Sequence, residues 1–204
     1  MNLTELNHPI LQESFAIIDS EMGPHNFTEE EYPIVRRVIH ATADFEFAEL
    51  LRFSPGAIAS GIAGLRRGLP IITDTTMVKQ GIVSMVNKTY GNPLIAAVEG
   101  VLSTEPGKTR TETGILKCFQ KYSNGIYVIG NAPTALLALC RQCNPINLNP
   151  TLVIGVPVGY VNVIESKQAL AATAVPQIRV EGRKGGSPIA AAILNALLVL
   201  AADN

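Results

Sequence analysis

Ile126-Tyr127-Val128-Ile129-Gly130-Asn131-Ala132-Pro133-Thr134-Ala135-Leu136 reads as a strand, a tight turn and a helix start in direct succession. The first four residues are β-branched, aromatic or apolar without a break, as in a strand buried on both faces. Gly130-Asn131 is turn chemistry, and Pro133 suits the first turn of a helix, where its missing N–H costs nothing. The same unit recurs on either side. Ile71-Ile72-Thr73-Asp74, Leu94 to Glu99, Leu152 to Val156 and Gln177 to Val180 read as strands, and Thr109 to Lys121, Pro133 to Cys143, Asn162 to Ala172 and Ser187 to Leu200 as helices. Strands alternating with helices imply a parallel sheet covered on both faces. Five such strands with right-handed crossovers predict an α/β fold of flavodoxin-like, three-layer type.

Upstream, residues 1–68 read as mainly helical. Ser14-Phe15-Ala16-Ile17-Ile18 lies in one helical pattern. Thr28, with Glu31 three residues on, forms a capping box for a second helix running through Val35, Val38, Ile39 and Phe45 to about Leu51. Ser54-Pro55 opens a third, ending near Gly68. No linker or repeat divides the chain, so 1–204 is read as one domain, with a helical N-terminal elaboration on the alternating part from 70 to 204.

Composition narrows the function classes. The chain is 47% apolar and only 16% charged, with a net charge of -1. That balance supports a large core and offers no basic stripe for nucleic acid. The polar start, Met1 to His8, is unlike a signal peptide. The apolar stretch from Ile189 to Ala202 is interrupted by Asn195 and is too short to span a bilayer. A cytoplasmic protein without membrane partners is the expectation. Cys118, Cys140 and Cys143 are an odd number; Cys140-x-x-Cys143 could be a redox pair or half a zinc site, but no second pair or nearby histidine completes a metal set. A reduced cytosolic pair is the simpler reading.

In an open parallel sheet, ligands bind beyond the carboxyl ends of the strands, where helix N-termini present unpaired amides. Four loops there are polar or glycine-rich: 74–76, 130–134, 155–159 and 182–187. Each could be ordinary turn chemistry; together they point to a ligand site. None matches a phosphate-binding fingerprint. Among the histidines, His40 shares a predicted helical stripe with Arg36 and Asp44, each four residues away, and a general acid near neutrality would suit it. A helix-surface histidine without a role is the alternative. Arg110, at the start of a predicted helix, could grip a carboxylate in two-pronged fashion. Lys167, early in a helix after the fourth strand, could bind another.

The same residues carry a family resemblance. Val38-Ile39-His40-Ala41-Thr42, Asp74-Thr75-Thr76-Met77-Val78, Thr109-Arg110, Asn131-Ala132-Pro133-Thr134-Ala135-Leu136, Gly155-Val156-Pro157-Val158-Gly159-Tyr160, Glu165-Ser166-Lys167 and Arg183-Lys184-Gly185-Gly186-Ser187 resemble, in order, segments of the precorrin-8X methylmutase family. The early Ser14-Phe15-Ala16-Ile17-Ile18 with Glu21 matches as well. The resemblance implies a homodimer and an isomerase of corrin biosynthesis. That enzyme moves a methyl group from C-11 to C-12 of a tetrapyrrole, precorrin-8X or its cobalt form, with no cofactor beyond any cobalt the substrate carries. It implies His40 as the catalytic acid. Ser14, Arg110, Asn131, Thr134, Lys167, Gly185, Gly186 and Ser187 become the candidate substrate-binding set, with no metal site in the protein. Asp44 stands where some members carry a small residue, and an acid so placed should raise the pKa of His40. A tetrapyrrole carrier without turnover is the rival reading; a flavin- or nucleotide-binding domain is a more distant one.

Overall fold

The computed structural model describes residues 9–143 and 150–203; Met1 to His8 and the Asn144-Pro145 boundary lie outside them. The chain runs α1 (Pro9–Met22), α2 (Glu31–Thr42), a short α3 (Glu46–Leu50), β1 (Leu51–Phe53), α4 (Ala57–Arg66), β2 (Ile71–Thr73), α5 (Thr76–Lys88) and β3 (Leu94–Ala96). It continues α6 (Arg110–Lys121), β4 (Ile126–Ile129), α7 (Pro133–Gln142), β5 (Leu152–Gly155), α8 (Val163–Ala171), β6 (Gln177–Val180) and α9 (Ser187–Asp203). The strands form one mixed sheet in the order β1-β6-β5-β4-β2-β3.

All five expected strands are present and parallel to their neighbours, but the sheet has six. The extra strand, β1, pairs antiparallel with β6, Leu51 opposite Val180 and Phe53 opposite Ile178. It begins at Leu51, about where the long helix read from sequence is expected to end. That helix stops early because Ala43 adopts the left-handed conformation (φ 52°), its amide closing on the Ile39 carbonyl. The Asp44 carboxylate then accepts from the Glu46 amide and starts α3. Leu51 to Phe53 extend because the free edge of β6 offers backbone partners, a long-range reward that local propensity cannot report. Helix α5 is a further addition. Its Val78, Ile82 and Val86 sit four apart and are all buried, while Gly81 lets the helix approach α9, since a Cβ there would lie 2.8 Å from that of Ala191.

Alternation along the strands divides the core. Ile126, Val128, Leu152, Ile154, Ile178 and Val180 face one cluster with α2, α4, α5 and α9. Ile72, Tyr127, Ile129 and Val153 face the other, with Ile115 of α6, Leu136 and Leu139 of α7 and Leu170 of α8. The capping box at Thr28 is formed as expected: its amide donates to Glu31 Oε2 at 3.0 Å and its hydroxyl accepts from the Glu31 amide at 3.2 Å. Among the described residues no helix is long and apolar enough to cross a membrane.

Candidate active site

Asp74 follows β2 at the carboxyl edge of the sheet and is fully buried. Its carboxylate accepts three backbone hydrogen bonds from the turn after β4: from Gly130 at 3.1 Å, Asn131 at 2.7 Å and Ala132 at 2.8 Å. These are amides of the turn that leads into α7, the last of them at its N-cap, Ala132. Burial pushes the Asp74 carboxyl up, and the three amides pull against that shift. The expectation that the backbone of Asn131 to Thr134 grips a ligand carboxylate therefore needs correction. The protein's own acid already occupies the Asn131 and Ala132 amides, and Pro133 has none, leaving the Thr134 amide and hydroxyl and the exposed Asn131 side chain as the groups the turn presents.

Beside this turn, α6 begins at Arg110, capped by Thr109, whose hydroxyl accepts from the Glu112 amide at 3.1 Å. Thr109 and Thr134 hydroxyls lie 3.0 Å apart, so the starts of α6 and α7 share one rim. Arg110 is exposed; one guanidinium nitrogen donates to the Val98 carbonyl at 3.0 Å and the rest of the fork faces solvent. The 182–187 loop packs on the same edge. A Cβ on Gly185 would lie 2.3 Å from the Val156 carbonyl oxygen, and the Gly186 amide donates to that oxygen at 2.9 Å. Ser187, buried at the start of α9, passes so close to Gly130 that a Cβ there would meet its Cα at 2.9 Å.

Lys167 is not a surface carboxylate donor. It is 1% exposed, and its ammonium donates to the carbonyls of Gly182 at 2.8 Å and Lys184 at 2.6 Å. Burial lowers its pKa to about 8, with nearby Glu181 opposing the shift. Its work is to hold the 182–184 backbone from beneath. Lys184 then reaches outward to Asp44 and Glu46, at 2.6 Å each, tying the loop to the end of α2.

His40 lies in the last turn of α2, exposed, with the Phe15 ring edge-on at 5.6 Å. Among the described residues nothing hydrogen-bonds its ring nitrogens. Arg36 pairs instead with Asp19 of α1 at 2.9 Å, which also accepts from the Tyr32 hydroxyl at 2.6 Å, and its guanidinium lies over Phe15. Asp44 is beyond the helix end and bound to Lys184. The expected upward shift from Asp44 is thus reversed: partial desolvation, then the neighbouring Arg37 charge, hold His40 below the usual histidine value.

The comparisons with known proteins agree with one another. The sequence profile of the precorrin-8X methylmutase family matches residues 9–200. A cobalt-precorrin-8 methylmutase of Synechocystis sp. is 54% identical, the match covering 96% of this chain and 97% of that protein. This chain belongs to the precorrin-8X methylmutase family. A cobalt-precorrin-8 methylmutase of Leptospira interrogans is 41% identical over 97% of this chain and 96% of its own. The crystal structure of a precorrin-8x methyl mutase from Thermus thermophilus superposes with a TM-score of 0.89 at 43% identity, covering 95% of this chain and 96% of that one. The chain is accordingly an isomerase of the methylmutase type in cobalamin biosynthesis.

Within this methylmutase fold the candidate residues fall into two groups. Arg110, Asn131, Thr134, Gly185, Gly186 and Ser187 share the carboxyl edge of the sheet, with Lys167 beneath. His40 and the α1 turn bearing Ser14 form the second group, and the Lys184–Asp44 pair joins the two. Sequence reading missed the role of Asp74, although an acid ending an all-apolar strand signals one: it must be paired where it cannot be solvated. It also missed Arg37. The cysteines are half-buried thiols, and burial pushes Cys140 up to about 12 and Cys143 to about 11, far from the thiolate a redox pair needs.

Proposed function

We propose that this chain moves the C-11 methyl group to C-12 of precorrin-8X or cobalt-precorrin-8, giving hydrogenobyrinate or cobyrinate, as a soluble homodimer with His40 as acid and no cofactor of its own. The reaction breaks one carbon–carbon bond and forms another within the same macrocycle, so it asks the protein for positioning and one proton donor. The observation that carries the reading is His40 itself: an exposed imidazole, edge-on to Phe15 and beside Arg37, whose nitrogens no described residue engages. Donating to a ring nitrogen, its imidazolium draws electron density from the conjugated system and favours migration; the proton returns when the product forms.

The scaffold supports a wide ligand. Numbered among themselves, β2 to β6 run 2-1-3-4-5, the flavodoxin-like order, whose ligand crevice opens between the first and third strands. In that crevice Asp74 holds the Gly130, Asn131 and Ala132 amides, which argues against a phosphate of a flavin or nucleotide on those three donors. On the segments that follow β2, β3 and β5, Met77, Leu102, Val158, Tyr160 and Val161 are exposed large apolar residues, suited to a flat macrocycle or a second subunit. Arg110, Asn131 and Thr134 supply donors for its carboxylates, and Ser14 one more from α1.

Both relatives with the cobalt name support a cobalt-bearing substrate. Cobalt would take up the ring nitrogen lone pairs that His40 needs. Incubation of wild-type and His40→Ala protein with each substrate, followed by absorbance, tests both points. Conversion of precorrin-8X that falls at least ~100-fold in the variant, with a smaller loss on the cobalt form, is the expected result. Equal turnover by both proteins on precorrin-8X would remove His40 from the mechanism. Binding without conversion of either substrate by wild type would leave a carrier.

A further inference from the structure

Helices α1, α2 and α9 enclose a groove of about 370 Å³, lined on its apolar side by Phe15, Ala16, Val199 and Leu200 and floored by Arg36 and Arg37. The two arginines differ. Arg36 is paired with Asp19, whereas Arg37 has no carboxylate within ion-pair distance among the described residues, and Asp203 at the rim makes no pair with it. Arg37 is only partly exposed, and burial without a partner lowers its pKa. Arg36 and Asn195 also line the groove, and each keeps one buried polar atom without a hydrogen-bond partner, Arg36 Nε and Asn195 Oδ1. Among the described residues the Arg37 guanidinium has only solvent to donate to, and a carboxylate arriving from outside would give that partly buried fork a two-pronged partner.

We propose that Arg37 is the anchor for one carboxylate of the macrocyclic substrate, seated in the α1–α2–α9 groove with the macrocycle edge against Phe15 and its ring over His40. The inference rests on the methylmutase reading above. The groove is near the small end of the range for ligand pockets, about 300–1,000 Å³, so it takes a side arm and not the whole ring. Arg37 stands one helical turn before His40, on the same face of α2, and Phe15 both lines the groove and touches His40. A carboxylate held on Arg37 therefore fixes the macrocycle against the acid. It also neutralises the charge that depresses His40, so substrate binding itself brings the imidazole towards its protonated form.

The test compares wild type, Arg37→Met and Arg37→Lys in three measurements: dissociation constants for hydrogenobyrinic acid by absorbance titration, steady-state kinetics with precorrin-8X, and the His40 pKa by NMR in the free proteins. Circular dichroism and sedimentation check fold and assembly. Arg37→Met should weaken product binding about 10- to 100-fold, raise KM more than it lowers kcat, and raise the free-enzyme His40 pKa. Arg37→Lys should recover part of the affinity and keep the His40 pKa near wild type. Unchanged affinity in a folded Arg37→Met protein would overturn the proposal. So would a loss that tracks dissociation of the assembly, which would give Arg37 to a partner subunit's carboxylate. Wild-type protein that neither binds hydrogenobyrinic acid nor converts either substrate would instead bring down the underlying methylmutase reading, and this inference with it.

Discussion

His40 owes its acidity to its surroundings, and they act downward. Partial desolvation and Arg37 both disfavour the imidazolium, so the acid form of the free enzyme is lost as pH rises through a value below the ordinary histidine pKa. The kcat/KM profile on precorrin-8X should therefore fall on its alkaline side with a midpoint under ~6.5. Asp44→Asn should leave that midpoint in place, because Asp44 is held by Lys184 and not by His40; a downward displacement in the mutant would restore Asp44 as the tuning group. Asp74 works by the opposite logic. Its three amide bonds are buried, and an asparagine would turn an N–H₂ group towards N–H donors. Asp74→Asn should lose about 3 kcal/mol in urea unfolding, and an unchanged midpoint would mean that the turn relaxes around it.

The 182–187 loop is an element held from two sides, by buried Lys167 beneath and by the Asp44 and Glu46 carboxylates outside. Lys167 carries a folded pKa near 8, below its unfolded value. Between about pH 8 and pH 10.4 the unfolded chain binds the extra proton, so this group makes stability rise with pH across that window. The rise should be on the order of 2–3 kcal/mol, and Lys167→Met should abolish it when unfolding free energy is followed from pH 7 to 10.5. The absolute cost of that variant is a separate quantity, since it also strips two buried carbonyls of their donor. Gly185 sets the other constraint. Its missing Cβ makes room for the Val156 oxygen, so Gly185→Ala must push the backbone outward, at a cost of about 1–3 kcal/mol, and should weaken hydrogenobyrinic acid binding. Thermal unfolding and absorbance titration together would show it; full affinity in the variant would remove this loop from the site.

For the whole molecule, the exposed apolar residues and the two edge strands, β1 and β3, raise the question of assembly. Leu102, Tyr160 and Val161, on the loops after β3 and β5, are 100%, 86% and 76% exposed, and exposed large apolar residues of this kind are candidates for an interface. Sedimentation equilibrium should give a dimer. Tyr160→Ser with Val161→Ser should either dissociate it or, with the dimer intact, weaken tetrapyrrole binding. Neither effect would mean that this pair serves neither purpose.

Read alone, the residues already settle much of this protein. Short apolar, β-branched quartets bounded by turn residues, such as Ile126 to Ile129 before Gly130-Asn131, read as strands buried on two faces, and parallel strands of that kind need helices between them. The capping box at Thr28 is equally local, two side chains and two amides within one turn. The motif-bearing loops are legible for the same reason, because turn chemistry is written in consecutive residues. What only the tertiary structure decided are the partners of polar groups. Asp44 and Arg36 look like neighbours of His40 on a helix wheel, yet Lys184 and Asp19 claim them from other elements. Lys167 looks like a surface cation and is buried under a distant loop; the amides leading into α7 look free and hold Asp74; β1 has no strand reading in the sequence and pairs with an open edge. In each case the winner is an opposite charge or an unpaired backbone group brought close by folding; for the buried Asp74 and Lys167, desolvation makes that long-range partner worth more than any local one.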